Sequence, residues 1–141
     1  MARVHGKDSK YSFNAVDLDD ELSTITQTAD VPEAEITAFA DAYGNWLAGK
    51  KNVRTEIGGS LDLAASQGHN TIFDAISGGP VSTVFDLTGS GPGASDPEYQ
   101  CTASGLTGAL VASYNISLPV GAQASYTATI QHSGATTRAT A

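Results

Sequence analysis

Long stretches of period-two alternation constrain the fold of this chain more than any other feature. Small or apolar residues alternate with polar ones over residues 53–63, 106–118 and 122–131. Because successive side chains of a strand point to opposite faces of a sheet, each stretch predicts a strand with one buried side. The residues predicted to share one face are Val53, Thr55, Ile57, Gly59, Leu61 and Leu63; Leu106, Gly108, Leu110, Ala112, Tyr114, Ile116 and Leu118; and Ala122, Ala124, Tyr126, Ala128 and Ile130.

The stretch 106–118 predicts an unusually long strand. About 13 residues would span roughly 40 Å, whereas a common strand has about five or six residues. A long strand with a small polar outer face fits a sheet that continues into a neighbouring subunit. It fits equally a bent strand that serves both sheets of a monomeric sandwich.

Shorter elements are predicted in the rest of the chain. Residues 70–76 predict a helix, because Asn70 or Thr71 can cap its first turn and 78–80, Gly-Gly-Pro, ends it. Ile72, Phe73 and Ile76 are expected on one face of this helix. The other predictions are strands at 11–18, 22–29 and 81–87, an acidic turn at 19–21, and loops at 67–69 and 89–97.

An aromatic segment at residues 37–49 predicts a second helical turn. Thr37 can cap its start and Gly49 its end, so that Lys50 and Lys51 would follow at the negative end of the dipole. The segment has more apolar surface than a surface connection normally exposes, so it would contact an adjacent subunit or pack onto its own sandwich. The apolar residues at helical spacing are Phe39, Tyr43, Trp46 and Leu47.

Composition indicates one ordinary globular domain. A chain of 141 residues can bury a core without disulfides, and the single Cys101 is expected to be a small buried side chain in a strand. No apolar run approaches the roughly 20 residues that span a bilayer. The first residues do not resemble a signal peptide, which predicts a cytoplasmic origin.

The distribution of charge excludes ordinary nucleic-acid binding. The net charge is −8, and neither residues 11–49 nor residues 55–137 contain a lysine or arginine. Such a chain repels phosphate backbones. The acidity has a simpler alternative explanation, which is that it only keeps the protein soluble.

No pattern of residues indicates catalysis or a cofactor. His5, His69 and His132 are scattered, without the spacing of a zinc site, so no metal is expected. The glycines after residue 88 do not form a phosphate-binding loop, because Pro92 and Pro97 prevent the helix that such a loop needs. No nucleophile with a base and an acid can be recognised, and the chain is predicted not to be an enzyme.

The order of these features resembles the tail tube proteins, or major tail proteins, of long-tailed bacteriophages and related phage-like tails. An acidic β-rich lead-in is followed by Thr-Ala-Phe at 37–39, an aromatic turn, Leu-Ala-Gly at 47–49 and a strand that ends in Gly-Ser-Leu-Asp at 59–62. Segments 1–8, 110–121 and 124–128, with Gly134, are also similar. The resemblance covers nearly the whole chain, although Ala40 stands where many members have glycine.

The resemblance implies an antiparallel β-sandwich or barrel, with one short flanking helix, in a single domain 1–141 with arms at 1–10 and 135–141. It further implies hexameric rings that stack into the hollow tail tube of a virion, assembled in the host cytoplasm. The implied partners are further copies of the chain, the terminator, distal tail and tape measure proteins, and DNA that passes without specific binding. No cofactor and no membrane are implied. Tails of gene transfer agents and tubes of injection machines have the same architecture.

Two groups of residues are candidates for these roles. A conduit for DNA must not bind it, and carboxylates would repel the duplex. The candidate lumen acids are Asp17, Asp19, Asp20, Glu21, Glu33, Glu35, Glu56 and Asp62. The candidate contacts between subunits or rings are Phe39, Tyr43, Trp46, Leu47, Lys50, Lys51 and Arg54.

Two other classes of protein fit the composition. A capsid decoration protein would also be small, acidic and rich in β structure. A carbohydrate-binding β-sandwich would need exposed aromatic residues, for which Tyr43 and Trp46 are available.

Overall fold

Two antiparallel sheets, one helix and a projecting hairpin make up the chain. The computed structural model describes residues 6–63, 68–94 and 96–139. The predicted mainly β fold with one helix is confirmed. In chain order the elements are β1 Lys10–Phe13, β2 Val16–Asp17, β3 Leu22–Asp30, β4 Glu33–Glu35, β5 Trp46–Ala48, β6 Asn52–Ser60, α1 Gly68–Gly78, β7 Thr83–Asp86, β8 Glu98–Cys101, β9 Gly108–Ser117, β10 Ser125–Ser133 and β11 Thr137–Ala139.

The strands form three sheets. The order in the five-stranded sheet is β11-β8-β7-β1-β2, the order in the four-stranded sheet is β3-β6-β10-β9, and β4 and β5 form a separate hairpin. The predicted strands at 22–29, 53–63, 81–87 and 122–131 are confirmed as β3, β6, β7 and β10, although their ends differ from the predicted ones. Leu63, predicted on the buried face of 53–63, lies beyond the end of β6 and is 74% exposed.

The core lies between the two large sheets and α1. Tyr11 and Phe13 of β1 face Ile57 of β6 and Tyr126 and Ile130 of β10, and all five are at most 2% exposed. Burial alternates along β10 as the period-two pattern predicts, because Tyr126, Ala128, Ile130 and His132 are buried whereas Ser125 and Thr127 are exposed.

The predicted face of residues 106–118 is only partly correct. Thr129 of β10 pairs with Ser113, but Ile130 pairs with Val111, so Ala112 has no partner and β9 has a bulge there. A bulge adds one residue and exchanges the faces on its two sides. Ala109 is therefore buried, whereas Leu106 and Leu110, which were predicted to share a face with Tyr114, are exposed.

The strand predicted at 11–18 is a hairpin of two short strands. Asn14 and Ala15 have φ angles of 51° and 65°, and Phe13 pairs with Val16 across them. Two central residues with positive φ are typical of a type I′ turn. The chain therefore reverses at Asn14, and Leu18 enters the core after the hairpin.

Helix α1 extends the predicted helix at both ends, and its buried face differs from the predicted one. Ile72 and Ala75 are buried, whereas Phe73 and Ile76 are 63% and 52% exposed. His69, predicted in a loop, lies in the first turn of the helix. Gln67 of that predicted loop lies outside the described residues.

The two predicted arms contain parts of the five-stranded sheet. In the arm 1–10, Gly6–Asp8 form a 3-10 turn and Lys10 begins β1, while residues 1–5, including His5, lie outside the described residues. In the arm 135–141, Thr137–Ala139 form β11 and pair with β8. Cys101 is buried at the end of β8, as predicted.

His132 links the four-stranded sheet to the chain before β11. Its Nε2 lies 3.0 Å from Thr55 Oγ1 in β6, and its Nδ1 lies 2.7 Å from Thr136 Oγ1. Burial lowers the pKa of His132 from its ordinary value of 6.5. The side chain therefore favours the neutral form in the folded chain.

Stability is expected to fall as the pH drops below about 6.5, in part because of His132. In that range the unfolded chain takes up a proton at this side chain while the folded chain does not, so protons favour unfolding. Urea unfolding between about pH 8 and about pH 5 should show a smaller loss of stability for His132→Gln than for the unmodified chain. His69→Gln is the control variant. The same pH dependence in His132→Gln and the unmodified chain would contradict this assignment.

Candidate assembly surfaces

The four-stranded sheet has an open edge at each end. Strands β3 and β9 are its outer strands, and within residues 6–63, 68–94 and 96–139 no other strand pairs along their outer sides. One isolated bridge joins Val81 to Ala109 at the start of β9, which leaves the edge open from residue 110 onwards. Long open edges are templates for pairing with another chain.

The segment 37–49 consists of a long hairpin loop followed by strand β5, and the predicted helix is wrong. Glu35 of β4 pairs with Trp46 of β5. Between them, Asp41 accepts hydrogen bonds from the Ala38 N–H (2.7 Å) and the Asn45 amide (3.0 Å), and Thr37 Oγ1 accepts one from the Asn45 N–H (2.7 Å). Polar side chains that bond the nearby backbone compete with helix formation.

The hairpin β4–β5 carries the predicted aromatic surface, fully open to solvent. Every residue from 28 to 52 is exposed, so the alternative in which this segment packs onto its own sandwich is wrong. An apolar surface of this size on a projecting element is typical of a contact with another molecule. The exposed fractions are 59% for Ile36, 84% for Tyr43, 59% for Trp46 and 59% for Leu47, and Phe39 is fully exposed.

The three predicted basic contacts lie in two places. Lys50 and Lys51 are exposed at the base of the hairpin, which the Gly49 N–H closes by donating to the Pro32 carbonyl (2.6 Å). Arg54 lies on β6, and its Nε is 4.0 Å from a carboxylate oxygen of Glu56. Both members of this pair are about half exposed, and such pairs contribute little to stability.

The outer face of the four-stranded sheet is dominated by hydroxyl groups. Glu56 lies between Thr26 of β3 and Thr129 of β10, and Gly58 lies between Thr24 and Thr127. Apart from Arg54 and Glu56 and the terminal Asp30, the described residues of this face are uncharged. Its other polar members are Thr28, Asn52, Ser60, Ser113, Asn115, Ser117, Ser125, Gln131 and Ser133.

The structure does not bring the candidate lumen acids together. Asp17 accepts a hydrogen bond from Ser12 in the β1–β2 hairpin. Six others are exposed at separate positions: Asp19 and Asp20 in the turn before β3, Glu33 and Glu35 in β4, Glu56 in β6 and Asp62 after β6. Among the residues that the structure describes, no three His, Cys, Asp or Glu side chains are grouped as a metal site would require. In the same residues, no helix is both long and apolar enough to cross a bilayer.

Glu21 is a buried structural residue, which contradicts its prediction as a lumen acid. It is 6% exposed. Its Oε1 accepts hydrogen bonds from the Tyr126 hydroxyl (2.7 Å) and the Gly68 N–H (2.8 Å). Burial, and after it the Glu21 carboxylate, raises the pKa of Tyr126 well above its ordinary value. Glu21 thus caps α1 from 47 residues away.

Sequence reasoning missed this cap because nothing local marks it. The signal is Gly68, where a Cβ would lie 2.3 Å from Glu21 Oε1 and 2.7 Å from the Tyr126 hydroxyl. Only glycine fits this close approach at the first residue of the helix.

Several solved structures have a similar fold. A chain in the virion of a native gene transfer agent has a TM-score of 0.75 and 13% identity, covering 97% of this chain and 98% of that chain. A chain in the tail of an empty gene transfer agent particle, described with C6 symmetry, has a TM-score of 0.73 and 15% identity, with coverages of 96% and 98%. A chain of the SPP1 tail tube has a TM-score of 0.73 and 16% identity, with coverages of 97% and 79%.

The likeness lies in the fold and not in close sequence similarity. No protein-family model and no curated protein matches the sequence. The fold, however, matches over nearly the whole chain. This protein has the tail-tube fold, in agreement with the resemblance in its sequence.

Proposed function

We propose that this chain is a structural subunit of a virion tail tube, in which copies form rings and the rings stack. The observation that carries this proposal is the pair of open edges, β3 and β9, at opposite ends of one four-stranded sheet. In a monomer such edges are a liability, whereas in a ring each edge is paired. The tail-tube fold of the solved neighbours supports the same reading.

The directions of the strands allow copies to pair edge to edge. Each neighbouring pair in the order β3-β6-β10-β9 is antiparallel, so β9 of one copy and β3 of the next can also pair antiparallel. The contact is head-to-tail and closes into a ring if the rotation allows it. Six copies, the number that the resemblance implies, would form one wide barrel, and barrels of many strands enclose an open channel.

The hydroxyl-rich outer face is the proposed wall of the lumen. A lysine-rich or arginine-rich wall would hold DNA at every ring by counterion release, but here the one basic side chain, Arg54, is paired with Glu56. In this arrangement Glu56 lines the channel. Asp17, Asp19, Asp20, Glu33 and Glu35 lie outside this face, so the wall acts mainly by offering DNA few cationic partners.

The hairpin β4–β5 is the proposed contact between stacked rings. It projects from the subunit with Phe39 and Trp46 exposed, and burial against the next ring would remove this apolar surface from water. Lys50 and Lys51 at its base can then meet acidic residues of the neighbour, such as Asp19 and Asp20. All four of these side chains are exposed in the subunit.

The proposed role is passive, without turnover or a cofactor. The tube would carry DNA from the virion to the host without binding it specifically. Besides copies of the chain, the proposed partners are the terminator, distal tail and tape measure proteins. Assembly would take place in the host cytoplasm, and the product would be part of the virion tail.

The purified chain is expected to form rings or hollow rods when it is concentrated. Negative-stain microscopy would show particles of uniform width, and analytical ultracentrifugation would show a concentration-dependent shift from monomer to assembly. Because the proposed contacts are mainly backbone pairing and apolar burial, assembly should persist in high salt. Monodisperse monomers at all concentrations and salt conditions would contradict the proposal.

A further inference from the structure

An apolar ridge runs along the open edge of β9. Helix α1 begins at Gly68, which lies close to the Tyr126 hydroxyl. After the helix ends, Val81 forms backbone hydrogen bonds with Ala109 of β9. Tyr126 pairs with Ile116 across the sheet. Helix α1 therefore extends along β9 from the level of Ile116 to the level of Ala109.

The two sides of α1 differ in character. One side, with Asn70, Thr71 and Asp74, lines a cavity against Asn14 and Val16 of the β1–β2 hairpin. The opposite side carries Phe73 and Ile76, which are 63% and 52% exposed. Ile116, 52% exposed at the open edge of the sheet, points to the same side of the sheet as its buried partner Tyr126. We call Phe73, Ile76 and Ile116 the ridge.

A groove lies along the other open edge of the same sheet. Its apolar lining consists of Leu22 and Ile25 of β3 and Phe85 of β7, and Lys7, Asp19 and Ser23 are among the polar residues that also line it. Leu22 and Ile25 are half-buried and pack against the core from the edge strand. We call this lining the groove.

The ridge and the groove lie at the same level of the sheet. Leu22 pairs with Gly59, Gly59 with Tyr126, and Tyr126 with Ile116. Suppose that β9 of one copy pairs with β3 of the next in a continuous sheet. Helix α1, which lies along β9 of the first copy, is then next to the groove, which lies along β3 of the second copy. The ridge of the first copy then faces the groove of the second.

We infer that Phe73 and Ile76 of one copy pack into the groove formed by Leu22, Ile25 and Phe85 of the next copy. This inference rests on the proposed ring. The partner that contacts the ridge is a second copy of this chain. The contact explains why Phe73 and Ile76, which are not buried within one copy, are apolar. Backbone pairing alone allows several registers, whereas one ridge in one groove selects a single register and direction.

Phe73→Asp tests this inference. The concentration for half-assembly in ultracentrifugation is expected to rise about tenfold or more, because a large side chain is no longer buried at each contact. The circular dichroism and thermal unfolding of the monomer should stay unchanged, because Phe73 is mostly exposed. Leu106→Asp is the matched control, since Leu106 is 90% exposed outside the ridge and the groove, and it should assemble normally.

A cross-linking experiment tests the contact itself. Chains with Phe73→Cys are mixed with chains with Ser23→Cys and treated with a short bis-maleimide, and the unmodified chain controls for the buried Cys101. A covalent dimer is expected in the mixture and not with Phe73→Cys alone. If the unmodified chain does not assemble, the proposed function fails and this inference fails with it. If rings form, but Phe73→Asp assembles normally or the mixture gives no dimer, this inference alone is overturned.

Discussion

Replacing Gly59 with alanine is expected to destabilise the chain by about 3 kcal/mol or more, which is a large fraction of the stability of a typical domain. A Cβ at this position would lie 2.1 Å from the carbonyl oxygen of Glu21 and 2.8 Å from Leu22 Cα. Both are backbone atoms of the segment that enters β3, and that carbonyl also accepts a hydrogen bond from the Ser60 N–H (3.0 Å). The clash can be relieved only by moving β3 away from β6. Urea unfolding followed by circular dichroism measures the effect.

Gly121→Ala is the matched control for this prediction. A Cβ on Gly121 would have no heavy atom within 4 Å, so the stability should change by less than about 0.5 kcal/mol. Unfolding of Gly59→Ala at the same urea concentration as the unmodified chain would show that β3 can shift at little cost. The close approach of β3 and β6 would then not be a constraint on the sequence.

The double substitution of Phe39→Ser with Trp46→Ser is expected to abolish stacking while leaving the subunit folded. Two large aromatic side chains would lose at least about 3 kcal/mol of burial at each contact, which corresponds to more than about a hundredfold in affinity. Residues 28–52 are all exposed in the subunit, so its unfolding should be unaffected. Electron microscopy is expected to show single rings without rods.

A conservative pair controls for changes in the shape of the hairpin. Phe39→Tyr with Trp46→Phe keeps the aromatic surface and should still form rods. Rods of normal length in the double serine variant would contradict the role of the hairpin in stacking. Loss of rings as well as rods would place the hairpin in the contact within a ring.

The strands of the four-stranded sheet could be predicted from the sequence because each has one buried face. Alternation in β6 and β10 follows from a core that lies on one side only, so Ile57 and Tyr126 could be assigned to it in advance. The same reasoning failed in β9, where the bulge at Ala112 exchanges the faces. A bulge depends on how two strands pair, so it cannot be predicted from the sequence of either strand alone.

The hairpin shows a second limit of local reasoning. Phe39, Tyr43, Trp46 and Leu47 are at helical spacing, but a helix gains its stability mainly from packing an apolar face. Every residue of this segment is exposed in the subunit. Thr37 and Asp41 accept hydrogen bonds from nearby backbone N–H groups, and the Asn45 side chain donates to Asp41. The aromatic residues could therefore be recognised as an unusual apolar surface, while their secondary structure could not be predicted.

The sequence by itself determined the fold class, the two long alternating strands, the position of the helix and the absence of basic residues over most of the chain. These properties are local or additive, so they can be counted along the chain. The tertiary structure alone decided that Glu21 is a buried cap, that the four-stranded sheet has two open edges, and that a ridge and a groove lie at the same level beside them. Each of these depends on contacts between residues far apart in sequence, such as the 105 positions that separate Glu21 from Tyr126, and pairing across such distances is set by packing of the whole chain.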